Sequence, residues 1–130
     1  MTKLPTLRVL LVDNDASLRR ALERTVRRAG FDVECFASIA ALVASGAAKR
    51  GACLVLDIDL PGVGGIDLDQ ALTGCRQQLP TVFITASGCE GRSHMLASMA
   101  PVAVLDKPFD GQALLAVLTR IERSEEDLRD

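Results

Sequence analysis

Four polar side chains end or closely follow short apolar runs in this chain, and their chemistry is complementary. Asp13 ends the run Leu7-Arg8-Val9-Leu10-Leu11-Val12, Asp57 ends Ala52-Cys53-Leu54-Val55-Leu56, and Thr85 ends Thr81-Val82-Phe83-Ile84. Lys107 follows Val102-Ala103-Val104-Leu105 by one residue and is itself followed by Pro108 and Phe109. If the runs are parallel strands, all four side chains emerge along one edge of one sheet, where open α/β folds place their ligand sites. Two acids, a hydroxyl and an ammonium at one edge suit a cation and a phosphoryl group. Moving a phosphoryl group to a carboxylate requires a nucleophilic oxygen in line, a divalent cation, and donors for the remaining charge. Asp57 is the candidate nucleophile because its run is apolar throughout and therefore central. Asp13 can hold the cation, for which Mg2+ is the natural choice because it prefers oxygen ligands and keeps several waters. Thr85 supplies a hydroxyl donor and Lys107 a point charge.

The elements that must position these groups alternate in kind. Short apolar runs and helical patterns follow each other five times, which predicts an α/β fold with a parallel sheet. The strands fall at about Leu7–Val12, Phe31–Phe36, Ala52–Asp57, Thr81–Thr85 and Val102–Leu105. In the second, Phe31, Val33 and Cys35 alternate with Asp32 and Glu34, the pattern of an edge. Helix one spans about Ser17–Ala29, with Leu18, Ala21, Leu22, Thr25, Val26 and Ala29 on one stripe and Gly30 suited to its C-terminal cap. Ser38 can cap a second helix running through Ala44. A Pro- and Gly-rich loop covers Leu60–Gly65. A third helix follows near Asp67–Cys75, and a weak fourth, with Gly91, Ser93 and Ser98, lies near Glu90–Met99. The last begins near Asp110 and places Leu114, Val117, Leu118 and Ile121 on one face. Residues 124–130 carry four acids and one Arg and read as an acidic tail or linker stub after a domain of residues 1–123.

Composition narrows the function classes. The chain of 130 residues is most simply one domain, long enough to bury about two-thirds of its unfolded surface. Apolar residues make up 48% and aromatics only 3%, all Phe, so Leu, Val, Ile and Ala must build the core. A net charge of −2 argues against nucleic-acid binding driven by overall charge. Cys35, Cys53, Cys75 and Cys89 show no C-x-x-C spacing and read as reduced cytoplasmic thiols. The apolar stretch after Lys3 is too short for a signal segment or membrane span. Arg19, Arg20, Arg24, Arg27 and Arg28 crowd helix one and read as a solvated face with a Glu23–Arg27 pair. His94, the one histidine, reads as exposed rather than catalytic, and Met95 and Met99 as inward-packing.

Four blocks in order, Val12-Asp13-Asn14-Asp15, Leu56-Asp57-Ile58-Asp59-Leu60-Pro61, Ile84-Thr85-Ala86 and Asp106-Lys107-Pro108-Phe109, resemble the signatures of response-regulator receiver domains. The similarity extends from about Leu7 to Ile121. It implies a flavodoxin-like sheet of strand order 2-1-3-4-5 with helices on both faces. It also implies that Asp57 accepts phosphate from a histidine kinase or phosphotransfer protein. Asp13, Asn14, Asp57 and the backbone carbonyl of Asp59 would surround Mg2+, and Thr85 and Lys107 would contact the phosphoryl group. The output would be a contact with a downstream protein target or onward phosphotransfer, with no nucleic acid or membrane engaged by this chain. No enzymatic turnover beyond self-phosphorylation and self-dephosphorylation is implied.

Two positions depart from the family pattern. Asn14 stands where receivers usually carry a second acid that ligates the metal, and Val104 stands where an aromatic ring usually accompanies the switch. These favour a second reading, a degenerate receiver acting as a phosphorylation-independent interaction module. A third reading, a small phosphatase of haloacid-dehalogenase type, starts from Asp13-Asn14-Asp15 as a D-x-D motif.

Overall fold

The computed structural model describes residues 7–46, 53–57, 80–85, 102–107 and 110–129. Five strands, β1 (Arg8–Val12), β2 (Asp32–Phe36), β3 (Cys53–Asp57), β4 (Thr81–Thr85) and β5 (Ala103–Asp106), form one all-parallel sheet of order β2-β1-β3-β4-β5. The helices described are α1 (Ala16–Arg28), α2 (Ile39–Ser45) and α3 (Gly111–Arg129). Every residue of β3 and β4 is buried, as strands covered on both faces require. The edge strands β2 and β5 are only partly buried.

One face of the sheet presents Val9, Leu11, Cys53, Val55, Val82 and Ile84 to Leu22 and Val26 of α1 and to Leu114, Val117, Leu118 and Ile121 of α3. Side chains alternate along a strand, so Leu10, Val12, Leu54, Leu56 and Phe83 point to the opposite face, and all are buried. Leu42 of α2 is wholly buried but lies outside the first cluster. Among the described residues no helix is long and apolar enough to cross a membrane.

Local signals account for the ends of the first two helices. Asp15 caps α1, its carboxylate accepting from the N–H groups of Ser17 and Leu18. At the other end the Gly30 N–H donates to the Arg27 carbonyl and the Phe31 N–H to the Val26 carbonyl. This paired motif needs a left-handed residue, and Gly30 has φ of 99°. Phe31 therefore closes the helix and packs beside Val26 in the core, and β2 starts one residue later than the alternation predicts. Ser38 caps α2 through the Ala41 N–H, and Gly46 ends it at φ of 73°.

The expected strands otherwise agree to within a residue or so. The last helix differs more: its backbone continues through the acidic segment to Arg129, so no break in helix marks the boundary drawn at residue 123. The loop at Leu60–Gly65 and the helices expected near Asp67–Cys75 and Glu90–Met99 lie outside the described residues, as do Cys75, Cys89, His94, Met95 and Met99.

Candidate functional site: an acid pair and a lysine at the sheet edge

The strand register brings the expected groups together. Val12 pairs with Leu56, so Asp13 and Asp57 follow at neighbouring positions on adjacent strands. Asp57 pairs with Ile84, and Thr85 with Asp106, the residue before Lys107. The Lys107 N–H donates to the Thr85 carbonyl at 2.7 Å, extending the β4–β5 ladder and fixing where the lysine leaves the sheet. Its Nζ lies 3.1 Å from Asp57 Oδ2 and 3.9 Å from Asp13 Oδ2. Asp13, Asp57 and Thr85 are buried, and Lys107 is partly exposed.

The surroundings of Asp13 are one-sided. Oδ1 accepts from the Asp15 N–H at 2.9 Å. Oδ2 is buried, and no donor reaches it within hydrogen-bond distance among the described residues. Burial raises the Asp13 carboxyl above its ordinary value, and the nearby Asp57 charge adds to this, while the Asp15 N–H and Lys107 work the other way. An oxygen of this kind gains most from a cation placed against it.

The backbone around Asp13 is held firmly. Its N–H donates to the Phe36 carbonyl at 3.1 Å, and its carbonyl accepts from an Arg19 guanidinium at 2.6 Å. Sequence reasoning missed Arg19 as a contact of this loop. Its position one turn into α1, at the end nearest Asp13, was the available signal.

The remaining expected site residues fall differently. Asn14 is exposed on the loop after β1. Asp15 is exposed and its Oδ1 is engaged in capping α1, so its carboxylate does not stand in for an acid at position 14. Asp59 lies outside the described residues. Among the described residues no group of three or more His, Cys, Asp or Glu is placed to hold a metal ion, leaving the pair Asp13 and Asp57. This suits a hard ion that retains much of its water shell and takes one or two carboxylates.

A family model for the response regulator receiver domain matches residues 9–119. The chain belongs to this family. Nodulation protein W of Bradyrhizobium diazoefficiens is 35% identical over 116 residues, covering 88% of this chain and 51% of that protein. Response regulator protein TodT of Pseudomonas putida is 28% identical over 110 residues, covering 85% of this chain and 48% of that protein. The chain thus spans about half the length of these curated relatives. A response regulator receiver protein from Burkholderia phymatum has a similar structure, with a TM-score of 0.69 at 30% identity, covering 88% of this chain and 96% of that one. The receiver sheet order and the order observed here are the same.

The receiver assignment displaces the phosphatase reading. A physical reason accompanies it. A D-x-D site needs its second acid in the pocket, and Asp15 is turned to the N-terminus of α1 instead.

Proposed function

We propose that this receiver accepts a phosphoryl group on Asp57 from a histidine kinase or phosphotransfer protein, assisted by Mg2+. The observation that carries the reading is the buried Asp57 carboxylate with the Lys107 ammonium 3.1 Å from Oδ2, beside an Asp13 whose Oδ2 has no donor among the described residues. In the step, a bond forms between an Asp57 carboxylate oxygen and phosphorus while the bond from phosphorus to the donor's histidine nitrogen breaks. The nitrogen keeps the electron pair, and an aspartyl phosphate results. Lys107 is placed to neutralise charge on the phosphoryl oxygens, and Thr85, at the end of the neighbouring strand, brings a hydroxyl to the same edge. Asp13 and Asp57 would hold Mg2+ with the Asn14 amide oxygen and the Asp59 carbonyl. When bound, the ion supplies positive charge that draws phosphoryl oxygens toward the nucleophile.

The test is labelling by acetyl phosphate with Mg2+, read by intact mass. Wild type and Asp59→Asn should gain one phosphoryl group, and Asp57→Asn none. Equal labelling of wild type and Asp57→Asn would remove Asp57 as the acceptor. A wild type that neither labels nor binds Mg2+ would favour the phosphorylation-independent module, the reading that the exposed Asn14 supports. Onward signalling would pass to a downstream protein target. The domain of residues 1–123, its cytoplasmic location and a role confined to self-phosphorylation and self-dephosphorylation belong to the same proposal.

A further inference from the structure

Of the arginines on α1, Arg20, Arg24, Arg27 and Arg28 are exposed. Arg19 is the exception: it is half-buried, and its guanidinium donates to the Asp13 carbonyl at 2.6 Å. Withdrawing a guanidinium from water is costly unless a hydrogen bond offsets it, and a bond with a charged donor is about twice as strong as a neutral one. The carbonyl it holds belongs to the peptide joining Asp13 to Asn14, where the chain leaves β1 for the turn into α1.

Asp13 is held at three points. Its N–H donates to the Phe36 carbonyl at 3.1 Å, its Oδ1 accepts from the Asp15 N–H at 2.9 Å, and its carbonyl accepts from Arg19. The first two partners are backbone groups, and the third is a side chain that a substitution can remove. Arg19 is itself fixed by the first turn of α1, its N–H donating to the Asp15 carbonyl at 2.8 Å. The contacts close a circuit. Asp15 reaches Asp13 Oδ1 through its N–H and Arg19 through its carbonyl, and Arg19 returns to the Asp13 carbonyl. With that carbonyl released, the Asp13–Asn14 peptide is free to turn and to carry the Asp15 N–H away from Oδ1. The carboxylate then loses the orientation that leaves Oδ2 buried, 3.9 Å from Lys107 Nζ.

We propose that Arg19 is a positioning residue for the cation that Asp13 and Asp57 hold, acting through the Asp13–Asn14 peptide. This rests on the Mg2+-assisted function proposed above. The charge of Arg19 and its contact have opposite consequences. A cation near the site repels a metal ion, so charge alone would make removal of Arg19 tighten Mg2+ binding, most of all at low salt. Positioning makes its removal weaken binding, as the loss of an outer-shell partner does.

Amide NMR of the full chain tests this with Arg19→Met, Arg19→Lys and, as a control for charge, the exposed Arg24→Met. Titrated with Mg2+ at fixed pH and ionic strength, Arg19→Met should bind about tenfold more weakly than wild type. Arg19→Lys keeps a charged donor and should bind more tightly than Arg19→Met, and Arg24→Met should match wild type. Without metal, the Asp15 N–H should exchange with solvent about tenfold faster in Arg19→Met, while the Leu10 and Val55 amides of the sheet exchange as in wild type. Labelling of Asp57 by acetyl phosphate should show the loss in the Mg2+ concentration for half-maximal rate and far less of it in the maximal rate. Mg2+ binding that is unchanged or tighter in Arg19→Met, no recovery with lysine, or unchanged Asp15 exchange would each overturn the proposal. Should Arg19→Met lose protection throughout the sheet, Arg19→Gln is judged by the same criteria. A wild type that binds no Mg2+ would remove the metal-assisted function and this role together. Binding of Mg2+ without labelling of Asp57 would remove the phosphorylation alone, and the titration would still decide the role of Arg19.

Discussion

Asp13→Asn should stabilise the metal-free protein, although it alters a wholly buried residue at the heart of the site. The amide keeps an oxygen to accept from the Asp15 N–H, so the contact at 2.9 Å survives. What it removes is a charge whose Oδ2 is buried without a donor among the described residues. An unsatisfied buried polar group costs about 1–3 kcal/mol, and more when charged. Lys107 offsets part of this, but its Nζ is 3.9 Å from Asp13 Oδ2 and closer, at 3.1 Å, to Asp57. The expected gain at pH 7 is therefore on the order of 1–2 kcal/mol, or about 4–8 °C in Tm for a domain of this size. The pH dependence gives the sign a second check. The Asp13 carboxyl is raised in the fold above its ordinary value of 3.8, so the folded state is penalised where the group is charged. That penalty is present in full above the folded value. It disappears as pH falls through the raised value toward 3.8, below which both folded and unfolded states are protonated. The variant's advantage should thus be greatest near neutrality and vanish in acid. Thermal unfolding of both proteins without metal across this range is the assay. Added Mg2+ should then stabilise wild type and leave the variant nearly unmoved. A variant less stable than wild type at pH 7, or a gain equally large in acid, would refute the reasoning.

Asn14→Asp should tighten Mg2+ binding by about tenfold, or about 1.4 kcal/mol, measured by titration at fixed pH and ionic strength. It should also speed labelling of Asp57, and equal affinities would show that position 14 does not face the ion. Asp15→Ala should cost about 1 kcal/mol in thermal stability by removing the α1 cap, with Mg2+ affinity nearly unchanged because its carboxylate serves the helix. Cys35 should alkylate slowly, because burial first and then the Glu23 charge push its thiol up to about 11. Its rate with iodoacetamide should rise about tenfold per pH unit through neutrality without levelling before about pH 10, since the thiolate is the reactive form.

What the sequence made legible follows from what each interaction depends on. Strand order came with the family resemblance, and the central place of β3 from its unbroken apolar run, because burial on both faces leaves a compositional mark. The convergence of Asp13, Asp57 and Lys107 was readable because parallel strands of known ends put their successors on one edge. The division of labour within Asp13-Asn14-Asp15 was not readable in this way. Three adjacent polar residues of nearly equal length can serve a metal, a helix cap or solvent, and residue type does not choose among them. The choice is made by backbone direction over the two residues after β1. There the chain turns from extended strand to helix, with Asp15 at φ of −84° and ψ of 106° as the last non-helical residue. The turn sends the Asp15 carboxylate to the open N–H groups of α1 and leaves Asn14 exposed. It also brings the Asp15 N–H onto Asp13 Oδ1, which orients the carboxylate and leaves Oδ2 toward Lys107. The helix cap and the orientation of the Asp13 carboxylate are thus two results of one turn. For that reason Asp15 matters to the site through its backbone, while its side chain is lost to it.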